Sequence, residues 1–223
     1  MTIVGFDTST AAASVCVLRA DGEAFEHAPP PARLLEPPAH SRELLPAVEE
    51  LMGQAGVGWA DVEGVAVGVG PGGFTGLRIG VATARALANA ARLPVFPVSS
   101  LAALAAAIDE PLALPLIDAR RGELFGALYG EGGAEIVEPF AARPEEVPAR
   151  TGRELAGALA AGDGSLRFRQ VLEAAGIRVA PDGSGLHVVR ALHVCRLAAS
   201  VPPVPPEAVL PTYIRDPDAK PSQ

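Results

Sequence analysis

The chain has 223 residues, with 26 acidic and 18 basic side chains and a formal net charge of −8. This balance argues against a broad basic surface for nucleic acid, and a single lysine, Lys220, excludes a P-loop NTPase, whose phosphate loop needs a lysine at the start of a helix. Two cysteines match neither a disulfide scaffold nor a cysteine-rich zinc site. No apolar stretch approaches the ~20 residues of a membrane span and the first residues lack a signal-peptide pattern, so we expect a cytoplasmic protein without a membrane partner.

The first predicted elements are β-strands. Apolar runs at 2–7 and 14–18 flank small polar residues and indicate an antiparallel hairpin, whose first strand ends at Asp7. A third strand is predicted at 23–28. Residues 29–38 contain five prolines, and we therefore predict a loop in an extended conformation there.

A helix is predicted after this loop. Apolar residues recur at helical spacing from Leu44 to Ala55, and Ser41 is a candidate N-cap. Pro46 lacks the N–H that the second turn needs, so we predict a kink or a later start of the helix there. The further elements predicted for the first half are a strand at 62–69, a helix at 75–91, a strand at 93–98 and a helix at 101–108.

The second half of the sequence repeats this order. A strand predicted at 112–117 leads to Asp118 and a return strand at 123–129, so that the segments 7–18 and 118–129 are both twelve residues long. The remaining predicted elements are a strand at 134–137, a helix within 144–155, a strand at 158–161, a helix at 166–175, a strand at 177–180 and a helix at 187–199.

This repetition predicts a duplicated α/β fold, with mixed sheets flanked by helices. The aspartate-tipped hairpin that opens each half resembles the actin-like superfamily of sugar kinases and heat-shock ATPases, the ASKHA or ribonuclease H-like class, in which two lobes flank a nucleotide cleft. The predicted divisions of the chain are an N-terminal lobe at 1–109, a smaller C-terminal lobe at 110–200 and a proline-rich tail at 201–223.

A glycine-rich loop follows the strand predicted at 62–69. Residues 68–73 match the dinucleotide pattern G-x-G-x-x-G, but no acidic residue for the ribose hydroxyls occurs between Glu63 and Asp109, which argues against a nicotinamide or flavin site. Two interpretations remain open. Either the loop is a tight strand-to-helix turn, or it presents the N–H groups of the helix at 75–91 to an anion.

Small residues form a stripe along that helix. They recur every four residues, at Gly76, Gly80, Ala84 and Ala88. Such a stripe permits close packing inside the same domain. Alternatively, it forms a seam for a helix supplied by a partner, together with the apolar helix that precedes it in the chain.

Candidate catalytic groups are few. Asp7 and Asp118 end corresponding strands and would hold a magnesium ion through water if both faced one cleft, but aspartates in hairpin turns also bond their own backbone. The four histidines show no metal-binding spacing, and no G-x-S-x-G motif supplies a hydrolase nucleophile. The choice between a metal site and two structural aspartates stays open.

Several segments resemble a known family. They are IVGFDTST at 3–10, HSRELLP at 40–46, GPGGFTGLRIG at 70–80, IDAR at 117–120, GE at 122–123 and PTYIR at 211–215. The glycine segment is the most specific of them. Together they resemble the TsaB family, also called YeaZ, of bacterial tRNA threonylcarbamoyladenosine biosynthesis proteins, and the likeness is strongest over 1–130.

The resemblance implies a non-catalytic subunit that carries no cofactor of its own. Its implied partners are TsaD, which transfers the threonylcarbamoyl group to tRNA, and the ATPase TsaE, with ATP and magnesium acting only in the complex. Binding of tRNA would be indirect, because phosphate contacts need clustered cations. A homodimer is expected when TsaD is absent, since an exposed apolar surface tends to find a substitute.

The resemblance also implies two sets of residues. In the family, the surface paired with TsaD is built from the helices that begin here near His40 and Gly76. The predicted partner interface consists of His40, Leu44, Leu45, Val48, Gly76, Leu77, Gly80 and Ala84. The predicted vestige of a phosphate-facing site consists of Asp7, Thr8, Ser9, Gly70, Gly72, Gly73 and Asp118. The family usually has serine where Gly73 stands, which leaves the role of that position open.

Two other functions remain open from the residues alone. A nucleotide-dependent phosphotransferase would use Asp7 and Asp118 around magnesium-ATP, and micromolar binding of ATP by the isolated chain would indicate it. A metallopeptidase would contain stoichiometric zinc.

Overall fold

Two five-stranded sheets form the framework of the protein. A computed structural model describes residues 1–155 and 157–214. The first sheet consists of β1 (Ile3–Asp7), β2 (Ser14–Leu18), β3 (Ala24–His27), β4 (Gly64–Gly68) and β5 (Val95–Val98). Its strand order is β3-β2-β1-β4-β5, with β1 antiparallel to β2 and parallel to β4. The central strands are buried on both faces, which explains their continuous apolar sequences.

The second sheet repeats this arrangement. Its strands are β6 (Ala113–Arg120), β7 (Glu123–Tyr129), β8 (Glu135–Ala142), β9 (Leu159–Ala161) and β10 (Arg178–Val179). The order is β10-β9-β6-β7-β8, with β6 antiparallel to β7 and parallel to β9. Each strand therefore has a counterpart in the first sheet, and the predicted duplicated α/β fold with mixed sheets is confirmed.

The main helices of the first lobe are α1 (His40–Ala55) and α2 (Phe74–Ala91), which cover one face of the first sheet. The second lobe has three short helices, α4 (Val147–Thr151), α5 (Asp163–Arg167) and α6 (Arg169–Ala174). The helix predicted at 166–175 is thus divided, because Phe168 leaves the helical conformation with φ −111° and ψ 20°.

Two further helices lie between the sheets. α3 (Ser100–Ala105) follows the first sheet but packs on β6, whereas α7 (Ala191–Leu197) follows the second sheet and packs on β1 and β2. Their apolar side chains join both sheets in one buried core. The lobes are also linked by an ion pair between Arg190 and Glu26, and by the hydroxyl of Ser14, which donates to the carbonyl of Val189 at 2.7 Å. Each lobe therefore contributes a helix to the packing of the other.

Helix α1 begins earlier than predicted. It starts at His40 after the N-cap Ala39 and runs through Pro46. Of the two predicted effects of Pro46, a kink or a later start, the later start is therefore wrong, and so is the predicted Ser41 cap. Pro46 lies on the exposed side of the helix, where water can bond the Arg42 carbonyl that a proline leaves unpaired. The predicted apolar face is confirmed, and its buried members include Leu44, Val48, Leu51, Met52 and Ala55.

The proline-rich segment, residues 29–38, is not extended throughout. Residues Pro31–Leu35 form a short 3₁₀ helix after Pro30, which itself remains extended at φ −66° and ψ 156°. Prolines are compatible with the first turn of a helix because their φ is already suitable and the first N–H groups have no helical partner. The prediction of an extended loop is therefore wrong for these five residues.

The second hairpin also differs from its prediction. β6 continues past Asp118 to Arg120, and the turn is formed by Arg121 and Gly122 with φ angles of 55° and 81°. In the first hairpin, by contrast, β1 ends at Asp7 and six residues precede β2. The two segments of equal length thus have different structures, which the residue spacing did not indicate.

The end of the described chain packs on the first lobe. Val204 pairs antiparallel with Val95 at the edge of the first sheet, Val209 is buried, and the N–H of Thr212 donates to the carbonyl of Val69 at 2.8 Å. Residues 215–223 of the predicted tail lie outside the described residues. In the part of the chain that the structure describes, no helix combines the length and apolar character that crossing a bilayer requires.

Candidate functional site

The carboxylate of Asp7 is bonded entirely within its own lobe. Its Oδ1 accepts hydrogen bonds from the N–H and the hydroxyl of Ser9, at 2.8 and 2.5 Å, and its Oδ2 accepts one from the hydroxyl of Ser100 at 2.6 Å. The oxygen of Ser100 in turn accepts the N–H of Gly70 at 3.2 Å. A Cβ at Gly68 would lie 1.8 Å from Oδ2, so a glycine is required beside this carboxylate.

These contacts make Asp7 a structural residue. Its side chain is fully buried, and burial raises the pKa of the carboxyl above its usual value, although the bonds from Ser100 and Ser9 oppose that shift. The prediction that Asp7 faces a cleft together with Asp118 is wrong, because both carboxylate oxygens of Asp7 point into a closed hydrogen-bond network. The alternative, an aspartate that bonds its own hairpin loop, is the observed one.

The glycine loop is a tight turn packed on that hairpin. The N–H of Gly73 donates to the carbonyl of Ser9 at 2.6 Å, and a Cβ at Gly72 would lie 2.4 Å from the same oxygen. Gly70 has a φ of 106°, which favours glycine. Gly73 has a φ of −62° and a Cβ there would lie 3.4 Å from Ser9, so this backbone would accept the serine that the family usually has.

The stripe of small residues on α2 faces the same hairpin loop. The hydroxyl of Thr8 donates to the carbonyl of Gly76 at 2.8 Å. A Cβ at Gly76 would lie 2.1 Å from the Thr8 carbonyl oxygen, and one at Gly80 would lie 2.3 Å from the Thr8 hydroxyl. The stripe is therefore sealed by the chain itself, as the packing interpretation predicts.

This packing corrects most of the predicted partner interface. Leu45 is exposed, whereas the other seven residues are buried inside this chain and offer no surface to a partner: His40, Leu44, Val48, Gly76, Leu77, Gly80 and Ala84. The ring of His40 packs against Gly76, and burial lowers its pKa. The faces of α1 and α2 that the prediction named are therefore the internal ones, and of the named residues only Leu45 faces solvent.

The exposed sides of α1 and α2 form a different surface. We define the outer helical face as Leu45, Phe74, Arg78, Ala82 and Ala86, all exposed to solvent. Leu45 is 53% exposed and Phe74 is 43% exposed, so both offer apolar surface to solvent. Ala82 and Ala86 repeat the four-residue spacing of the buried stripe on the opposite side of α2, and they leave its outer surface free of bulk.

An aromatic and cationic cluster lies at the first turn of α2. The guanidinium of Arg78 lies 3.8 Å from the centre of the Phe74 ring, whose centroid is 5.7 Å from that of Tyr213. The Nε of Arg78 also donates to the Tyr213 hydroxyl at 3.4 Å. This cluster fixes the direction of Phe74 on the outer helical face.

Asp118 organises a polar cleft between the lobes. Its Oδ1 accepts the N–H of Arg120 at 2.9 Å, and its Oδ2 accepts the Nη1 groups of Arg120 and Arg167 at 3.1 and 2.8 Å. The N–H of Asp118 donates to Asp163 at 3.0 Å. Thr8 and Ser9 line the same cleft from the first lobe, whereas Asp7 does not. Among the described residues, no three His, Cys, Asp or Glu side chains are close enough to hold a metal ion.

Among the acidic residues that line this cleft, Asp163 has the most strongly shifted pKa. Burial raises the pKa of its carboxyl to about 6, and the negative charge of Asp118 adds to this effect. The pKa of an aspartate in the unfolded chain is about 4. At pH values between about 4 and 6 the native state therefore binds more protons than the unfolded state, so the free energy of unfolding should fall as the pH rises through this range.

Replacing Asp163 with asparagine should remove this pH dependence. The amide oxygen can still accept the Asp118 N–H, while the buried charge is lost. We expect Asp163→Asn to be about 1–2 kcal/mol more stable than the wild type at pH 7.5, after allowance for partial exposure, with the difference vanishing near pH 4. Urea unfolding at both pH values measures this, and parallel pH profiles for the two proteins would contradict it.

Sequence reasoning missed several of these residues. Ser100 lies one residue before the helix predicted at 101–108, and nothing in its neighbourhood indicates a bond to Asp7, 93 positions away. Arg167 meets Asp118 across 49 positions. Phe74 and Tyr213 offered a signal, because both lie inside the quoted motifs GPGGFTGLRIG and PTYIR in a chain with few aromatic residues.

Comparison with known proteins agrees with the fold. A family model described as TsaD, tRNA N6-adenosine threonylcarbamoyltransferase, matches residues 36–204. Among solved structures, YeaZ from Pseudomonas aeruginosa is similar with a TM-score of 0.80 and 30% identity, covering 95% of this chain and 99% of that chain.

Curated bacterial proteins are similar over a shorter stretch. The protein from Haemophilus influenzae named tRNA threonylcarbamoyladenosine biosynthesis protein TsaB is 36% identical over 129 residues, which are 56% of this chain and 52% of that protein. The protein of the same name from Escherichia coli is 37% identical over 133 residues, 58% of this chain and 55% of that protein. The chain thus spans about half the length of the curated relatives it matches.

Proposed function

The chain belongs to the TsaB (YeaZ) family, and from that premise we propose that it is a non-catalytic subunit in the biosynthesis of threonylcarbamoyladenosine in tRNA. In this proposal it binds and supports a TsaD transferase, with TsaE as a further component of the complex. The names of its relatives support the pathway, and the match to a TsaD family model supports descent from a common fold with the transferase.

The observation that carries the proposal is the outer helical face. Large apolar side chains are exposed at Leu45 of α1 and Phe74 of α2, and the small residues Ala82 and Ala86 are exposed farther along α2. A bulk-free helix surface flanked by exposed apolar side chains suits close packing against helices of another chain. A second copy of the chain would cover the same face when the transferase is absent, which is the expected homodimer.

The proposed absence of catalysis rests on how the acidic residues are used. Asp7 and Asp118, the two carboxylates a phosphotransferase would need for magnesium, already accept hydrogen bonds from this chain on both of their oxygens. With a net charge of −8, most of the affinity for tRNA would come from the partner.

Reconstituted transfer to tRNA tests the proposal. A TsaD transferase from the same source, TsaE, an activated threonylcarbamoyl donor and a tRNA transcript are combined with and without this chain. We expect modified tRNA only when both the chain and TsaD are present. Full activity of TsaD without this chain, or transfer by this chain without TsaD, would contradict it.

A further inference from the structure

We propose that the cleft between the lobes binds a small organic anion. Its anionic group would contact the guanidinium groups of Arg120 and Arg167, and its carbon body would lie against Leu34 and Leu35 of the proline-rich segment. None of the residues of the outer helical face lines the cavity that forms this site, and the inference does not depend on the proposed role in tRNA modification.

The basic end of the site is held in place by a buried carboxylate. Asp118 is almost fully buried, and one of its oxygens accepts a hydrogen bond from each arginine. Each arginine uses only Nη1 in that bond, while its side chain stays open to the cleft, 62% exposed for Arg120 and 49% for Arg167. Two guanidinium groups that are held by one buried carboxylate, with their remaining N–H groups open to the cavity, are suited to bind a carboxylate or a phosphate monoester.

The other charged groups that line this cavity are already engaged. Asp163 accepts the N–H of Asp118, and Asp182 pairs with Arg169 at 2.7 Å. The cavity is lined by Asp118, Asp163 and Asp182 against Arg120 and Arg167, and the charges balance only when Arg169, the partner of Asp182, is counted. Selectivity for an anion would come from directed guanidinium donors rather than from a strong positive potential, which favours a single anionic group over a polyphosphate.

The apolar end of the site is the proline-rich segment. Leu34 forms a small core cluster with Ala12 of the first lobe and Val188 of the second, so it anchors the segment across both. Arg33 ties the same turn to α1 through Glu43 at 3.2 Å. The anchored segment leaves Leu35 84% exposed at the edge of a cavity of about 750 Å³. Cavities of this size and mixed lining are typical of small-molecule sites.

The two aspartates that were candidates for a magnesium site, Asp7 and Asp118, argue against magnesium-ATP as the occupant. A metal-bound nucleotide needs carboxylate oxygens that are free to face the ion or its water shell. Asp118 gives both oxygens to arginines and backbone, and Asp7 is closed off from the cleft. An anion that binds without a metal needs only hydrogen-bond donors and an apolar surface, and the cleft contains both: arginine N–H groups and aliphatic side chains.

Calorimetry on the full chain with simple probes tests this inference. Hexanoate and hexyl phosphate carry the anionic group on an aliphatic body, hexan-1-ol lacks the charge, and magnesium-ATP represents the nucleotide. We expect hexanoate or hexyl phosphate to bind and hexan-1-ol not to bind. The tighter of the two anions identifies the carboxylate or the phosphate class.

Variants locate the binding. Arg167→Met should weaken binding of the better anion about tenfold, and Leu35→Ser, at an exposed position, should weaken it severalfold without affecting the fold. Arg150→Met, on the exposed surface of α4, is the matched control and should bind like the wild type. Absence of binding by both anions, equal binding by Arg167→Met and wild type, or preference for magnesium-ATP would overturn the inference. None of these results bears on association with TsaD, so the proposed function would stand even if this inference failed.

Discussion

Replacing Gly76 with alanine should destabilise the protein by about 3 kcal/mol or more. The new Cβ would lie 2.1 Å from the carbonyl oxygen of Thr8, far inside van der Waals contact. That oxygen cannot move easily, because the Thr8 hydroxyl bonds Gly76 and the neighbouring Ser9 carbonyl accepts the N–H of Gly73. Either α2 must shift from the sheet or the hairpin loop must give up the bonds that hold it.

Urea unfolding with a matched glycine variant measures this effect. Gly53→Ala changes a glycine in α1 whose Cβ would meet nothing within 4 Å. It should stabilise the protein by about 0.5–1 kcal/mol, because alanine loses less conformational freedom on folding. If Gly76→Ala were as stable as Gly53→Ala, the small-residue stripe would not be sealed by the hairpin loop, and its assignment to internal packing would fail.

The same geometry changes how the partner interface should be tested. A large residue at Gly80 would collide with Thr8 and unfold the first lobe, so loss of a complex in such a variant would say nothing about the interface. Informative substitutions lie on the outer helical face, at the exposed positions Leu45 and Ala82.

Leu45→Arg combined with Ala82→Glu should weaken association with a TsaD transferase at least about 100-fold, or roughly 2.7 kcal/mol. Leu45 is half exposed on α1, and Ala82 lies on the bulk-free surface of α2. Charged side chains at both positions would be desolvated without a partner in a helix–helix contact. The stability of the free chain should change little, because both positions face solvent.

Ile136→Arg is the matched control for this variant. Ile136 is an exposed apolar residue on β8 of the second lobe, away from α1 and α2. The control should bind TsaD as the wild type does, with unfolding curves recorded for all variants. Equal loss of affinity in the control, or unchanged affinity in the double variant, would place the interface elsewhere.

The strand pattern of this fold was predictable because it depends on local sequence. Apolar runs bounded by turn residues gave both hairpins, and their repetition predicted two similar lobes. The exchange of α3 and α7 between the sheets was not predictable, since both helices are simply apolar and nothing in them specifies which sheet they cover. Helix α1 likewise runs through Pro46 because tertiary packing of its buried face outweighs one missing hydrogen bond.

The site was harder to predict because its contacts join distant residues. The spacing of Gly76 and Gly80 correctly indicated a helix surface without bulk, but spacing does not tell whether a chain's own loop or a partner occupies that surface. In the same way, Asp7 and Asp118 occupy corresponding strands yet have opposite surroundings, one closed by serine hydroxyls and the other bonded to arginines. Only the three-dimensional arrangement separates these cases.

Hydroxyl-radical footprinting of the complex with TsaD tests most directly whether α1 and α2 present their outward sides to the transferase. Five exposed side chains report in one experiment, two of them on that surface and three elsewhere. Leu45 and Phe74 should become protected when the transferase binds, whereas Leu35, Ile136 and Leu210 should react as in the free chain. Unchanged reactivity of Leu45 and Phe74 in a fully formed complex, with protection at the other positions, would contradict this account.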